Sequence, residues 1–102
     1  MPAVVRNGDK HIGHASPCDP FHQTAYVSGL NTSVYINGEL AIVVGDTTAC
    51  GDPAVAGSGT VFFNGIAVHR LGDATGGHGT DSCGKDWFPN AAGEASASVF
   101  VG

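Results

Sequence analysis

The sequence predicts a small all-β domain built from three like hairpin units around a pseudo-threefold axis. Three observations predict it. A stretch of strand, Asn-Gly turn, strand and Gly-Asp turn occurs twice, as TSVYINGELAIVVGD (32–46) and GTVFFNGIAVHRLGD (59–73), and the two align without a gap. The two halves of a third such unit stand at the chain ends. No segment of useful length carries a helical period.

The elements follow in order. PAVVRNGD (2–9) matches IAVHRLGD (66–73), the second arm of a unit. SVFVG (98–102) matches the first arm, TVFFNG, without its turn, so the last and first strands make one hairpin cut at its tip. The complete units turn at Asn37-Gly38 and Asn64-Gly65. Asn-Gly between β-rich runs is the strongest short-range hairpin signal, because a type I′ turn needs positive φ at both central residues. The flanking Val, Ile, Phe and Tyr suit strands. Three loops then join the units: Gly8 to about Thr32, Gly45 to about Gly59, and Gly72 to about Ala97. Loops one and three are rich in Gly, Pro and Asp, and the one place open to a short helical turn is Cys18–Tyr26.

A chain of 102 residues makes one domain, 1–102. With 16 Gly, one Met and one Trp its core is thin, so a staple is expected, whether a disulfide, a metal or a partner. Four Lys plus Arg against nine Asp plus Glu leave no basic stripe, which argues against nucleic acid as partner. No apolar run is long enough to span a bilayer, and the N-terminus lacks a signal-peptide pattern. The expectation is a protein made in a cytoplasm. Cys18, Cys50 and Cys83 are then expected as thiols or ligands rather than a disulfide framework, and an odd number cannot pair completely.

Each Gly-Asp opens a loop, and three-unit geometry sends all three loops to one end. His14 and His78 stand five residues after the Asp, and Cys50 stands four after. Register brings equivalent positions together near the axis. Two imidazoles and a thiolate there make most of a tetrahedral site of the kind structural zinc favours. The fourth ligand comes from His11, Cys18, His22 or Cys83; His22 is the choice and Cys83 the runner-up. The remaining residues take plainer readings. His11 is expected to be exposed and His69 to lie on a strand face. Cys18 and Cys83 can serve as small buried hydrophobes. Asp9, Asp46 and Asp73 are turn-formers whose carboxylates cap loop amides, since their repetition speaks for architecture rather than acid catalysis. Phe21, Trp87 and Phe88 are expected to cover the loops.

The repeated VYINGELAIVVGD and VFFNGIAVHRLGD, the trailing SVFVG and the opening PAVVRNGD resemble the PAAR-repeat proteins over nearly the whole chain. The naming Pro-Ala-Ala-Arg motif is imperfect: Pro2-Ala3-Val4-Val5-Arg6 carries an extra residue, and Glu39-Leu40-Ala41 and Ile66-Ala67-Val68 keep only its hydrophobic sense. The resemblance implies a small cone. Its base sits on the blunt end of a trimeric β-helical spike, a phage central spike or a valine-glycine-repeat spike, with one tip per trimer. Its point leads a phage tail baseplate or a type VI secretion apparatus and meets the target membrane only in passing. It also implies one structural zinc per chain near the point, held by three His and one Cys, which on this chain fits His14, His22, Cys50 and His78. Ligand type alone does not separate zinc from iron. With the cone ending at Gly102, a bare tip without an effector extension is expected.

A narrow point cannot hold a large core, and one ion tying three loops closes it; structural zinc contributes roughly 10 kcal/mol or more of apparent binding free energy. No enzymatic activity is expected, because a narrow apex offers no pocket for substrate. Two alternatives stand beside this reading. One is a small zinc-dependent hydrolase with an open coordination position, using Asp81 or Glu94 as base. The other is a metal-free β decoration module.

Overall fold

A computed structural model describes residues 2–13, 18, 21–76, 83–84 and 90–102. Among them the chain is all-β, without helix. Eight short strands follow one another: β1 (Tyr26–Val27), β2 (Tyr35–Ile36), β3 (Glu39–Leu40), β4 (Thr47–Thr48), β5 (Phe62–Phe63), β6 (Ile66–Ala67), β7 (Ala74–Thr75) and β8 (Asn90–Ala91). No helical turn forms in the described part of Cys18–Tyr26, because the backbone there is claimed by loop one's own start. Ala25 bridges Lys10, Tyr26 N donates to Asp9 O at 2.8 Å, and Gly8 N donates to Tyr26 O at 3.0 Å.

The hairpins form as the Asn-Gly pairs dictate. Asn37 and Asn64 both sit at φ 55°, followed by Gly38 at 84° and Gly65 at 79°. β2 pairs β3 with Tyr35 opposite Leu40, and β5 pairs β6 with Phe62 opposite Ala67. The cut unit reproduces this register across the chain ends, with Ala3 opposite Phe100 and Val101 N donating to Pro2 O at 2.9 Å.

The three units close on one another in a ring. Val5 N donates to His69 O (3.1 Å), His69 N to Ile42 O (3.0 Å) and Ile42 N to Val5 O (2.9 Å). These three residues occupy the same repeat position, four before the Asp, and each has 0% exposure. Three bridges follow the same cyclic order: Val4 with Arg70, Val43 with Val68, and Arg6 with Ala41. Such an order exists only for three units arranged about an axis. The body measures 39 × 23 × 21 Å, one long extent and two nearly equal short ones.

Among the described residues the core is two small clusters. Val4, Ile36, Ala41 and Val68 lie with the hairpins, and Val5, Tyr26, Ile42, Ala54 and Ala92 lie toward the loops. Between them the Gly-Asp turns do the same work three times. Asp9, Asp46 and Asp73 accept from the amide three residues earlier, at Arg6 (2.9 Å), Val43 (3.0 Å) and Arg70 (2.8 Å). The preceding Gly sits at φ +94°, +102° and +85°, a region that favours glycine. Arg6 and Arg70 also clasp their own Asp bidentately through Nε and Nη2, one edge of each guanidinium. Val43 stands where those arginines stand, and Asp46 takes the amides of Gly29 and Leu30 instead.

The cysteines correct an expectation. Cys18 and Cys83 are joined by a disulfide with a Cα–Cα distance of 6.0 Å, and both are exposed. They are neither buried hydrophobes nor available as the fourth metal ligand. Loops one and three run side by side, with Ile12 N donating to Ala91 O and His11 bridging Ala92, which brings together cysteines 65 residues apart. Cys50 is the odd one left as a thiol.

Candidate metal centre

Two residues past each Gly-Asp stand His11, Thr48 and Thr75, exposed 0%, 2% and 0%. Each lies opposite a returning segment: His11 opposite Ala92, Thr48 opposite Tyr26, Thr75 opposite Ala54. The return segments are entered through Thr24, Asp52 and Asn90. His11 N donates to Thr24 O, Thr48 N donates to Asp52 O, and Thr75 pairs with Asn90. Polar side chains from all three loops therefore gather on the loop side of the axis.

Their geometry is compact. Cys50 Sγ lies 3.1 Å from Thr24 Oγ1, 3.3 Å from Thr48 Oγ1 and 3.8 Å from His11 Nε2. On the other side of the ring, His11 Nδ1 lies 2.9 Å from Asn90 Nδ2 and 3.6 Å from Asp52 Oδ2. Donor atoms of His11, Cys50 and Asp52 all fall within 4.8 Å of one another, close enough for a single cation to reach all three. The donor set suits a borderline-soft ion: thiolate, imidazole and carboxylate. Thr24 donates a hydroxyl hydrogen bond to the sulfur. Asp52 Oδ2, 3.6 Å from Nδ1, stands beside the ring as the third candidate donor, while Asn90 Nδ2 is the closer neighbour of Nδ1.

The residues singled out from sequence fall in three groups. Cys50 lies in the cluster. His22 is half-buried, its ring centre 6.3 Å from that of His11. His14 and His78 lie outside the described residues, as do Trp87 and Phe88. His11 is fully buried rather than exposed. Isolated bridges from Lys10 to Ala25 and from His11 to Ala92 extend this stretch between two neighbours, and the His11 side chain is buried. The signal that could have found it is the aligned position itself, which reads His, Thr, Thr across the three units. Phe21 is 61% exposed and lies over Gly13, so it buries little of the loops.

His69 faces the interior on the axis, where the other units carry Val5 and Ile42. Its Nδ1 lies 2.7 Å from Ala56 O and its Nε2 2.9 Å from the Tyr26 hydroxyl, which also bonds Thr75. Burial pushes the His69 imidazole below its usual pKa and the Tyr26 phenol up to about 12. This network belongs to the core and is separate from the donor cluster.

No known protein-family model matches the chain, and no curated protein matches it either.

Proposed function

We propose that this chain is a PAAR-like spike tip. It would be a cone whose base seats on the blunt end of a trimeric β-helical spike and whose apex, closed by a structural metal ion, leads penetration by a contractile injection machine. The observation that carries this reading is the cyclic closure of three repeat-related units, with Tyr35, Phe62 and Phe100 at one equivalent position. These aromatics are 59%, 54% and 51% exposed. One chain that repeats a contact three times is matched to a homotrimer at one-to-three stoichiometry. Exposed aromatics at the hairpins are the side chains that anchor interfaces.

The metal in this reading is zinc. Cys50 is common to the cluster and to the ligand set drawn from the repeat register, with His11 beside it and His14, His22 and His78 as further donors. When bound, the ion cross-links loops that have little hydrocarbon between them. The chain's own residues supply the preparation: Thr24 and Thr48 hold the sulfur, while Asn90 holds the imidazole. A thiol, an imidazole and a carboxylate in series also read as nucleophile, base and orienting group. A surface cleft bounded by Arg6, Asp9, Leu71 and Glu94 includes none of the three.

Co-purification with a candidate trimeric β-helical spike tests the docking, with one chain per three spike chains expected. Elemental analysis tests the apex, with one zinc per chain expected, lost in Cys50→Ser. Failure to bind such spikes overturns the tip reading, and absence of metal after metal-replete expression overturns the closed apex.

A further inference from the structure

The tip reading makes no use of the Cys18–Cys83 bond. Loops one and three are already held at their inner ends by backbone: Ile12 N to Ala91 O at 2.9 Å, and Gly93 N and Glu94 N to Lys10 O, both at 3.0 Å. Lys10 N adds a bond to Glu94 Oε1 at 3.0 Å. The disulfide joins the same two loops farther along, at residues 18 and 83, and both sulfur-bearing residues are exposed. Cys50 is half-buried among Thr24, Thr48 and His11. Of the three sulfur sites, the exposed pair is the one an outside thiol reaches first.

We propose that Cys18–Cys83 is a reducible staple that switches loops one and three between tied and untied states while the hydrogen-bonded body stays folded. The reductant is a dithiol. One of its thiolates attacks either cysteine sulfur, forming a mixed disulfide and expelling the other cysteine as a thiolate that takes up a proton. The second thiolate of the dithiol displaces the remaining cysteine and leaves as a cyclic disulfide. Two electrons pass to the protein, which gains two thiols. A bond between residues 65 apart removes much of the freedom of the untied chain, so its loss acts on the loops first. The protein is then tied in oxidising surroundings and untied in thiol-rich ones.

The full chain tests this directly. Alkylation after denaturation is expected to label one cysteine in the oxidised protein and three after dithiothreitol. Limited proteolysis of the native protein is expected to cut around residues 18 and 83 roughly ten-fold faster or more after reduction. The double variant Cys18→Ser/Cys83→Ser is expected to be cut at the reduced rate with or without dithiothreitol, which separates the staple from any effect of the reagent on bound metal. Three labelled cysteines under oxidising conditions, cleavage indifferent to reduction, or acceleration in the double variant would each overturn the proposal. So would loss of the β-sheet circular dichroism on reduction. None of these outcomes depends on whether the protein docks on a spike.

Discussion

At the hairpin end, nearly every bond of one unit has a counterpart in the other two. At the loop end, His11, Thr48 and Thr75 share one repeat position and do three different things. Thr75 joins Tyr26 and His69 in the core, Thr48 caps Asp52 N and touches Cys50, and His11 stands between Cys50 and Asp52. Regularity persists where backbones must close on each other, since a ring of three bonds fails if one member leaves. It is relaxed where side chains supply chemistry, which needs unlike donors rather than three copies of one.

The strongest way to break this contrast is to damage the ring. Ile42→Asp places a charge at a fully buried position on the axis and should cost more than about 4 kcal/mol, abolishing the cooperative melt. A folded variant with an ordinary urea midpoint would show that the ring does not hold the body. Next comes Asp46→Ala, which strips the acceptor from three amides, Val43, Gly29 and Leu30, and should cost about 3 kcal/mol in chemical denaturation. Asp73→Ala should cost less, because the freed Arg70 can return to water.

Removing metal sharpens the comparison from the other side. Chelation of metal-loaded protein should lower Tm by roughly 10 °C or more, while slow amide exchange at Val5, Ile42 and His69 persists. Equal loss of protection at both ends would argue that they are one cooperative unit.

A smaller effect is expected from acid. Desolvation holds native His69 below its ordinary pKa of 6.5, against the opposing pull of its bond to Ala56 O. As pH falls through 6.5 the unfolded chain takes the proton first, so stability falls until the native ring titrates as well. In metal-free protein, His69→Val should flatten this acid branch of the Tm profile. The smallest effect on stability is predicted for Tyr35→Ser, Phe62→Ser and Phe100→Ser, each within about 0.5 kcal/mol by thermal melts. Together they should abolish spike docking.

The hairpin end was legible in the sequence because its determinants are local. Asn-Gly fixes the turns, alternating Val, Ile and Phe fix the arms, and Gly-Asp fixes the exits. The split unit was legible for the same reason, since Ala3 and Phe100 sit in strings that match those of complete units. The loop end was legible only in outline. Register pointed to convergence and to Cys50, but whether His11 faces in or out depends on a bridge to Ala92, 81 residues away. The cysteine pairing failed for a related reason. Compartment and parity are statements about the whole chain, whereas the bond depends on two loops running side by side.

The meeting of Ala3 with Phe100 and of Pro2 with Val101 carries one more consequence. The backbone comes back on itself between residues 101 and 2, at the one of three equivalent corners that no Asn-Gly turn spans. Joining residues 101 and 2 through Asn-Gly, as Phe63 and Ile66 are joined, and opening the chain at Asn64-Gly65 would move no hydrogen bond of the ring. Such a circular permutant should fold, and its order of folding would show whether the three corners are equivalent in folding as they are in register.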